Sequence, residues 1–509
     1  MSATVILAHD LGTTGNKSSL FNSQGLALAS SFSAYNTQYP YFNWAEQNPE
    51  DWWQAVCAST RQLLHESRVS PKEIACIVFS GQMMAAVAVD RQAKPLRNAI
   101  IWADTRAVEQ AQRVIDGIGF EKGYAITGHR ISSSYSCAKI MWVRDNQPDI
   151  YKQAFKFLHA KDFIVARLTG CFVTDLSDAS GMNLLDLDTK QWSEEMIAAA
   201  GLDPVLLPEL HASTDVVGEV STQAAEQTGL AAGTPVVIGG GDGCCAATGA
   251  GVVAEGAAYT YIGSSAWIGI ATHKPILDPT LRTFTFVHLD PAMYSPTGSM
   301  QSAGGSYQWL RDNFCLPEIE AASQLGLSPY ELMDLQVEQS PPGANNLLYL
   351  PYLLGERSPR WNSKARGVYF GLTVQHSRAD IIRATMEGVS FNLRVILEAF
   401  QQQGAQIKEM RVIGGGARGR VWRQVLADIF GIPVVRPNLL EDATSLGAAI
   451  AGGVGVGIFP DFGIAAQITP IIDTALPNKE LEEKYDRLYK LFNDCYRALE
   501  PLYEDLSAI

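Results

Sequence analysis

Strand-like runs occupy Val5–Ala8, Ser18–Phe21, Leu26–Tyr35, Ile74–Phe79 and Val87–Val89. The period changes at Asn48. That residue can cap a helix, Pro49 suits its first position, and Glu50 and Asp51 complement the helix dipole. Trp53, Val56, Thr60, Leu63 and Leu64 then fall on one helical face. Further helices are predicted near Asp104–Asp116 and Ser136–Asn146. A second α/β block opens at Pro235, where Val236-Val-Ile-Gly-Gly-Gly-Asp242-Gly ends a buried strand. The strand Met410–Ile413 follows, then a helix from about Val421 and a helix of small residues from about Ala443 to Gly455. The stretch Lys479–Leu502 predicts an amphipathic closing helix. The order of hairpin, helices and strands recurs coarsely, with a boundary near residue 247 that divides the chain into 1–246 and 247–509. No short-period repeat is visible, which argues against solenoids and propellers.

A chain of 509 residues accommodates two or three domains, and 47% apolar with 18% charged residues describes an ordinary globular protein. A net charge of −14 argues against a general nucleic-acid binder, because neutralising phosphates needs a basic face. The eight cysteines, at 57, 76, 137, 171, 244, 245, 315 and 495, form no Cys-x-x-Cys pair and read as buried, reduced thiols of a cytoplasmic protein. The chain enters its first strand within a few residues, with no signal-peptide pattern and no apolar run of the ~18 residues that span a membrane.

The chemistry concentrates in glycine-rich turns. In Val5-Ile-Leu-Ala-His-Asp10-Leu-Gly-Thr-Thr-Gly15-Asn-Lys17 a strand runs into Asp10 and a tight turn follows. Such a hairpin tip offers backbone N–H groups, the Thr13 and Thr14 hydroxyls and the Lys17 ammonium to an anion, and Asp10 can hold Mg²⁺ through water. A related turn recurs at Tyr259-Thr-Tyr-Ile-Gly263-Ser264-Ser-Ala266, so two phosphate hairpins would grip ATP from both sides. Asp242 stands at the carboxyl end of its strand, where open α/β sheets place their ligands. It can be an N-cap or a base that accepts a hydroxyl proton, and the two roles are compatible. Gly414-Gly-Gly416-Ala-Arg-Gly419 fits G-x-G-x-x-G, with Glu441 and Asp442 about 20 residues on, as a dinucleotide fingerprint asks. Too little chain follows for a doubly wound set; the same glycines suit close approach of an adenosine, or simply tight packing of the strand against the helix. Gly447-Ala-Ala-Ile-Ala-Gly452 suits close helix packing in a core. There is no Walker-type P-loop and no H-E-x-x-H.

These motifs resemble the FGGY carbohydrate kinases, most closely their xylulokinase branch, over about residues 5 to 455. Further segments carry the resemblance: Trp44–Trp53, Ser80-Gly-Gln-Met-Met84, Ile101-Trp-Ala-Asp-Thr-Arg106, Ser134–Asn146, Pro351–Pro359 and Gly367–Glu387. It implies two actin-like, ribonuclease-H-like α/β domains with a cleft between them, the sugar mainly on the first and ATP on the second. It makes Asp242 the catalytic base and Asp10 a holder of Mg²⁺ and the γ-phosphate. Met83, Met84, Trp102, Asp104 and Ser134 fall on the sugar side. Gly263, Ser264, Gly304, Gly305, Gly415, Gly416 and Ala417 fall on the nucleotide side. One position departs: xylulokinases read Gln-Met-His-Gly where this chain reads Gln82-Met-Met84-Ala85. A thioether is a weak acceptor and cannot donate, so the sugar's identity is open.

The expected activity is phosphorylation of a terminal hydroxyl by MgATP, with D-xylulose to D-xylulose 5-phosphate as first choice and another ketose or a polyol as alternative. Of other classes, an NADP-dependent oxidoreductase would use Gly414–Gly419 with Arg436 near the 2′-phosphate, and a non-catalytic actin-like protein would couple nucleotide to shape. The expected partner is a small sugar, with no nucleic acid and no membrane; a homodimer is the assembly considered.

Overall fold

The computed structural model describes residues 4–439 and 442–509. The opening hairpin pairs Val5–Leu11 with Gly15–Phe21, with Asp10 opposite Lys17. Ala27–Ala34 adds an outer strand on one side, and Ile74–Gly81 pairs in parallel with the first strand on the other. The six-stranded sheet continues through Pro235–Gly241 to Val216–Glu219. The chain then repeats this layout. Ala258–Ile262 and Ala266–Ile270 form the second hairpin, Tyr294–Met300 flanks it, and Met410–Ile413 and Val434–Pro437 follow in parallel. Ile471–Ala475 closes this sheet antiparallel, and Phe284–Val287 extends its far edge to seven strands. Three antiparallel strands, two parallel ones and a final antiparallel one therefore occur twice in the same spatial order. These are the two actin-like, ribonuclease-H-like α/β domains the sequence implied.

In each sheet the fifth strand of this series leads into a helix, Asp242–Gly249 in one and Ala443–Gly455 in the other. These two helices pack on each other where the halves meet. Their small residues make the crossing possible: a Cβ on Gly447 would lie 1.9 Å from the Cys245 carbonyl oxygen, and one on Gly249 1.8 Å from that of Ala443. The small-residue segment thus serves close packing in the core, as its sequence suggested.

The helix from Pro49 runs to Ser67, and the Asn48 side chain accepts from Glu50 N. The helix at Ser136–Asn146 has the predicted bounds. The helix expected from Asp104 begins only at Val108. Asp104 instead anchors the preceding turn, where its oxygens accept from Ala45 N (2.6 Å) and Arg106 N (3.0 Å). The closing helix spans Glu482–Ser507, after a short 3₁₀ turn at Lys479–Leu481. All eight cysteines are free. Among the described residues no helix is long and apolar enough to cross a membrane.

Candidate active site

Asp10, Ser80 and Gly240 are in register across three parallel strands. Asp10 near one strand end and Asp242 just past another are separated by a single strand, so their backbones lie two strand spacings apart, about 10 Å. Asp242 is the first residue of its helix; Gly241 holds the cap position and makes no capping bond. The Asp242 carboxylate accepts from Gly243 N at 2.7 Å. Burial pushes its carboxyl up to about 7, and the charge of Asp10 adds to the shift. Asp10 is itself raised by burial, against a 2.7 Å hydrogen bond donated by the Thr444 hydroxyl and the charge of Lys17. Lys17 pairs with Asp442 at the start of the Ala443–Gly455 helix, and Asp442 also bears on Asp10. Three carboxylates, from both halves of the chain, thus converge with one ammonium.

The first hairpin tip is held from below. Gln47 Nε2 donates to Thr13 O (2.7 Å), Gln82 Nε2 donates to Gln47 Oε1 (2.8 Å), and Trp102 Nε1 donates to Thr13 Oγ1 (2.9 Å). The Thr13 and Thr14 N–H groups donate to no protein acceptor among the described residues, which leaves the tip able to receive an anion. The second tip has the same character: the Ser264 N–H is likewise unengaged, while Gly263 N donates to Ser265 O (2.9 Å). Tyr259 from this hairpin donates to Gly243 O at 3.1 Å, so the second hairpin reaches the residue beside Asp242.

Around that second tip the glycines close in. Gly304 N donates to Gly263 O and Gly305 N to Ser264 O, both at 2.9 Å, and a Cβ on Gly304 would sit 2.3 Å from Gly263 O. Gly414, at φ +84°, lies against Ile262, and the 3₁₀ turn Gly415–Ala417 leads towards the helix Arg420–Phe430. The G-x-G-x-x-G spacing therefore reflects a strand–turn–helix seated on the second hairpin. Of its two distal acids, Asp442 pairs with Lys17, and Glu441 lies outside the described residues.

On the other side, the Met83 side chain is buried against Gly241 and Gly181. Met84 is partly exposed and takes the left-handed conformation, φ +63°. Trp102 is exposed and Ser134 half-buried. Asp104 is fully buried, with both oxygens also accepting from the Arg106 guanidinium. The structure gathers Asp10, Thr13, Lys17 and Asp242 at one place, with Gly263, Ser264, Gly304, Gly305, Gly415, Gly416 and Ala417 forming one cluster around the second tip.

The sequence did not single out Thr444, Gln47, Gln82 or Tyr259 as parts of this site. Nor did it show the ionic cluster beneath Asp242, where Lys161 Nζ donates to Asp162 (2.6 Å) and Asp175 (2.9 Å), and His159 Nδ1 meets Asp178 at 2.5 Å. Asp175 is tied through Ser177, whose hydroxyl donates to it (2.5 Å) and accepts from Gly241 N (3.0 Å), directly before Asp242. The available signal was a lysine amid apolar residues, Ala160-Lys-Asp-Phe163.

Comparison with known proteins shows the family. Residues 5–249 match the N-terminal domain and 258–456 the C-terminal domain of the FGGY family of carbohydrate kinases. The chain is 33% identical to a gluconokinase of Bacillus licheniformis over 99% of this chain and 97% of that one. It is 33% identical to a xylulose kinase of Bacillus subtilis over 99% of each, and 31% identical to a xylulose kinase of Escherichia coli over 97% of this chain and 99% of that one. Among solved structures, a gluconate kinase and a ligand-bound xylulose kinase, both from Lactobacillus acidophilus, each superpose with a TM-score of 0.91 at 26% identity, covering 99% of both chains. The oxidoreductase alternative falls away. Two family domains matched along the chain, on a duplicated fold, make this protein a member of the FGGY family of carbohydrate kinases, a phosphotransferase.

Proposed function

We propose that this kinase transfers the γ-phosphoryl group of ATP to a terminal hydroxyl of a small sugar, with Asp242 as the base. The observation that carries this is the meeting of Asp10 and Asp242, beside a hairpin tip whose Thr13 and Thr14 N–H groups are unengaged. Asp242 accepts the hydroxyl proton as the oxygen attacks phosphorus. The Thr13–Thr14 and Gly263–Ser264 tips hold phosphate oxygens, and the Gly304–Gly305 and Gly415–Ala417 backbones border the nucleotide. With Lys17 paired to Asp442, the neighbouring carboxylates of Asp10 and Asp242 have no ion pair of their own among the described residues, a donor set that fits a hard divalent cation. Asp10 would hold Mg²⁺ through water, and the bound cation would neutralise charge on the transferring group. On the sugar side Met83, Met84, Trp102 and Ser134 border the substrate, with Asp104 shaping the wall through Arg106.

For the sugar itself, D-xylulose giving D-xylulose 5-phosphate is the first choice, and a related ketose or polyol the next. D-gluconate is a second candidate, because relatives named gluconokinase and xylulose kinase are equally similar to this chain. A coupled ADP-release screen across pentuloses, hexuloses, polyols and gluconate tests the proposal. Sugar-stimulated ADP release with one of them is expected; ADP release that no sugar accelerates would contradict it.

A further inference from the structure

The Lys139 side chain is fully buried, yet it has no carboxylate within ion-pair distance among the described residues. Its ammonium carries three protons, and each finds a backbone carbonyl: Met84 O at 2.8 Å, Ile101 O at 2.8 Å and Ser134 O at 2.6 Å. Those carbonyls belong to three separate turns, and each turn carries or adjoins a sugar-side residue, Met84, Trp102 and Ser134. The lysine reaches them from the helix Ser136–Asn146. Placing a charge there is unfavourable. Burial pushes the amine down to about 7; Asp104 opposes the shift, and Arg357 and Arg106 add to it. A core that needed only packing would be served by an apolar side chain of similar volume.

We propose that Lys139 is a positioning residue that fixes the shape of the sugar subsite by clamping the Met84, Ile101 and Ser134 turns to one point. It touches no reacting atom: its three partners are backbone carbonyls of the sugar-side turns, and a link to the first hairpin runs through Trp102, which donates to Thr13 Oγ1. Its removal lets the three turns move independently, which loosens sugar binding and leaves nucleotide binding alone. The inference rests on the assignment of these turns to the sugar side.

The test uses the full chain carrying Lys139→Met and, separately, Lys139→Gln. Two measurements are made: KM for sugar and for ATP with the sugar found in the screen, and amide hydrogen exchange along the chain. The sugar KM should rise about tenfold or more, as loss of alignment predicts, with the ATP KM within about twofold. Exchange should accelerate together in 82–86, 101–106 and 132–136, while the paired strands Val5–Leu11 and Gly15–Phe21 keep their protection. Unchanged exchange at those turns would overturn the proposal, as would equal acceleration across the whole N-terminal half. The exchange measurement needs no substrate. A wild-type protein that no sugar stimulates would therefore refute the assigned kinase substrates while the clamp is still decided.

Discussion

A carboxylate that takes a proton from an alcohol works best when its own pKa lies near the working pH, and Asp242 is pushed up to about 7 by burial and by Asp10. The base must be ionised to act. With saturating ATP, kcat/KM for sugar should therefore fall about tenfold per pH unit below about 7 and level off above it. A profile flat down to pH 5 would remove Asp242 from this role. The same shift has a consequence for stability. The folded carboxyl binds its proton more tightly than the unfolded one, so between about 4 and about 7 the folded state holds more protons and stability falls as pH rises. Asp242→Asn removes that penalty. Its melting temperature at pH 8 should exceed that of the wild type, and the gain should vanish towards pH 4. Lower stability at pH 8 would mean that Asp242 is a structural anchor.

At the scale of elements, what could be read from the sequence was local. The hairpins announced themselves because a glycine and hydroxyl turn stood between strand-like runs, and the helix at Pro49 because Asn48, Pro49 and two acids stood at its start. The helix at Ala443–Gly455 was visible as a run of small residues, but its partner was not. Gly447 seats against Cys245, some two hundred residues earlier in the chain. The added methyl of Gly447→Ala would meet that backbone oxygen at 1.9 Å, and neither helix can shift without disturbing a strand it follows. A loss of about 1–3 kcal/mol is expected by overpacking, measurable by chemical denaturation; an unchanged midpoint would show that the crossing is loose. The dinucleotide-like spacing at Gly414–Gly419 was ambiguous for a related reason. A tight turn against a neighbouring strand and a pyrophosphate cradle ask for the same glycines, and only the position of Ile262 distinguishes them.

For the whole molecule, the informative contacts were those the sequence could not show. Thr444 bonds Asp10 across 434 positions and Asp442 pairs with Lys17 across 425, so the candidate site is completed only when the two halves meet. Burial of Lys139 and of the Lys161 cluster was scarcely less hidden: a lysine amid apolar residues was the local signal, and it did not show what encloses the ammonium. The Lys17–Asp442 pair is partly solvent-exposed on both sides, 31% and 30%, which makes it an inexpensive contact to break. Asp442→Asn should therefore change stability by less than about 1 kcal/mol while lowering the KM for ATP, because the Lys17 ammonium is released towards the phosphates. An unchanged ATP KM would show that Lys17 does not reach the nucleotide. The central claim is that the carboxylates at 10 and 242, brought together from distant parts of the chain, form one phosphoryl-transfer site. It is tested most directly by quantifying sugar phosphate formed per enzyme by wild type and by folded Asp242→Asn with the sugar from the screen. A loss of about 10²–10⁴ in kcat with sugar KM little changed is the predicted result; near-normal turnover by the variant would contradict it.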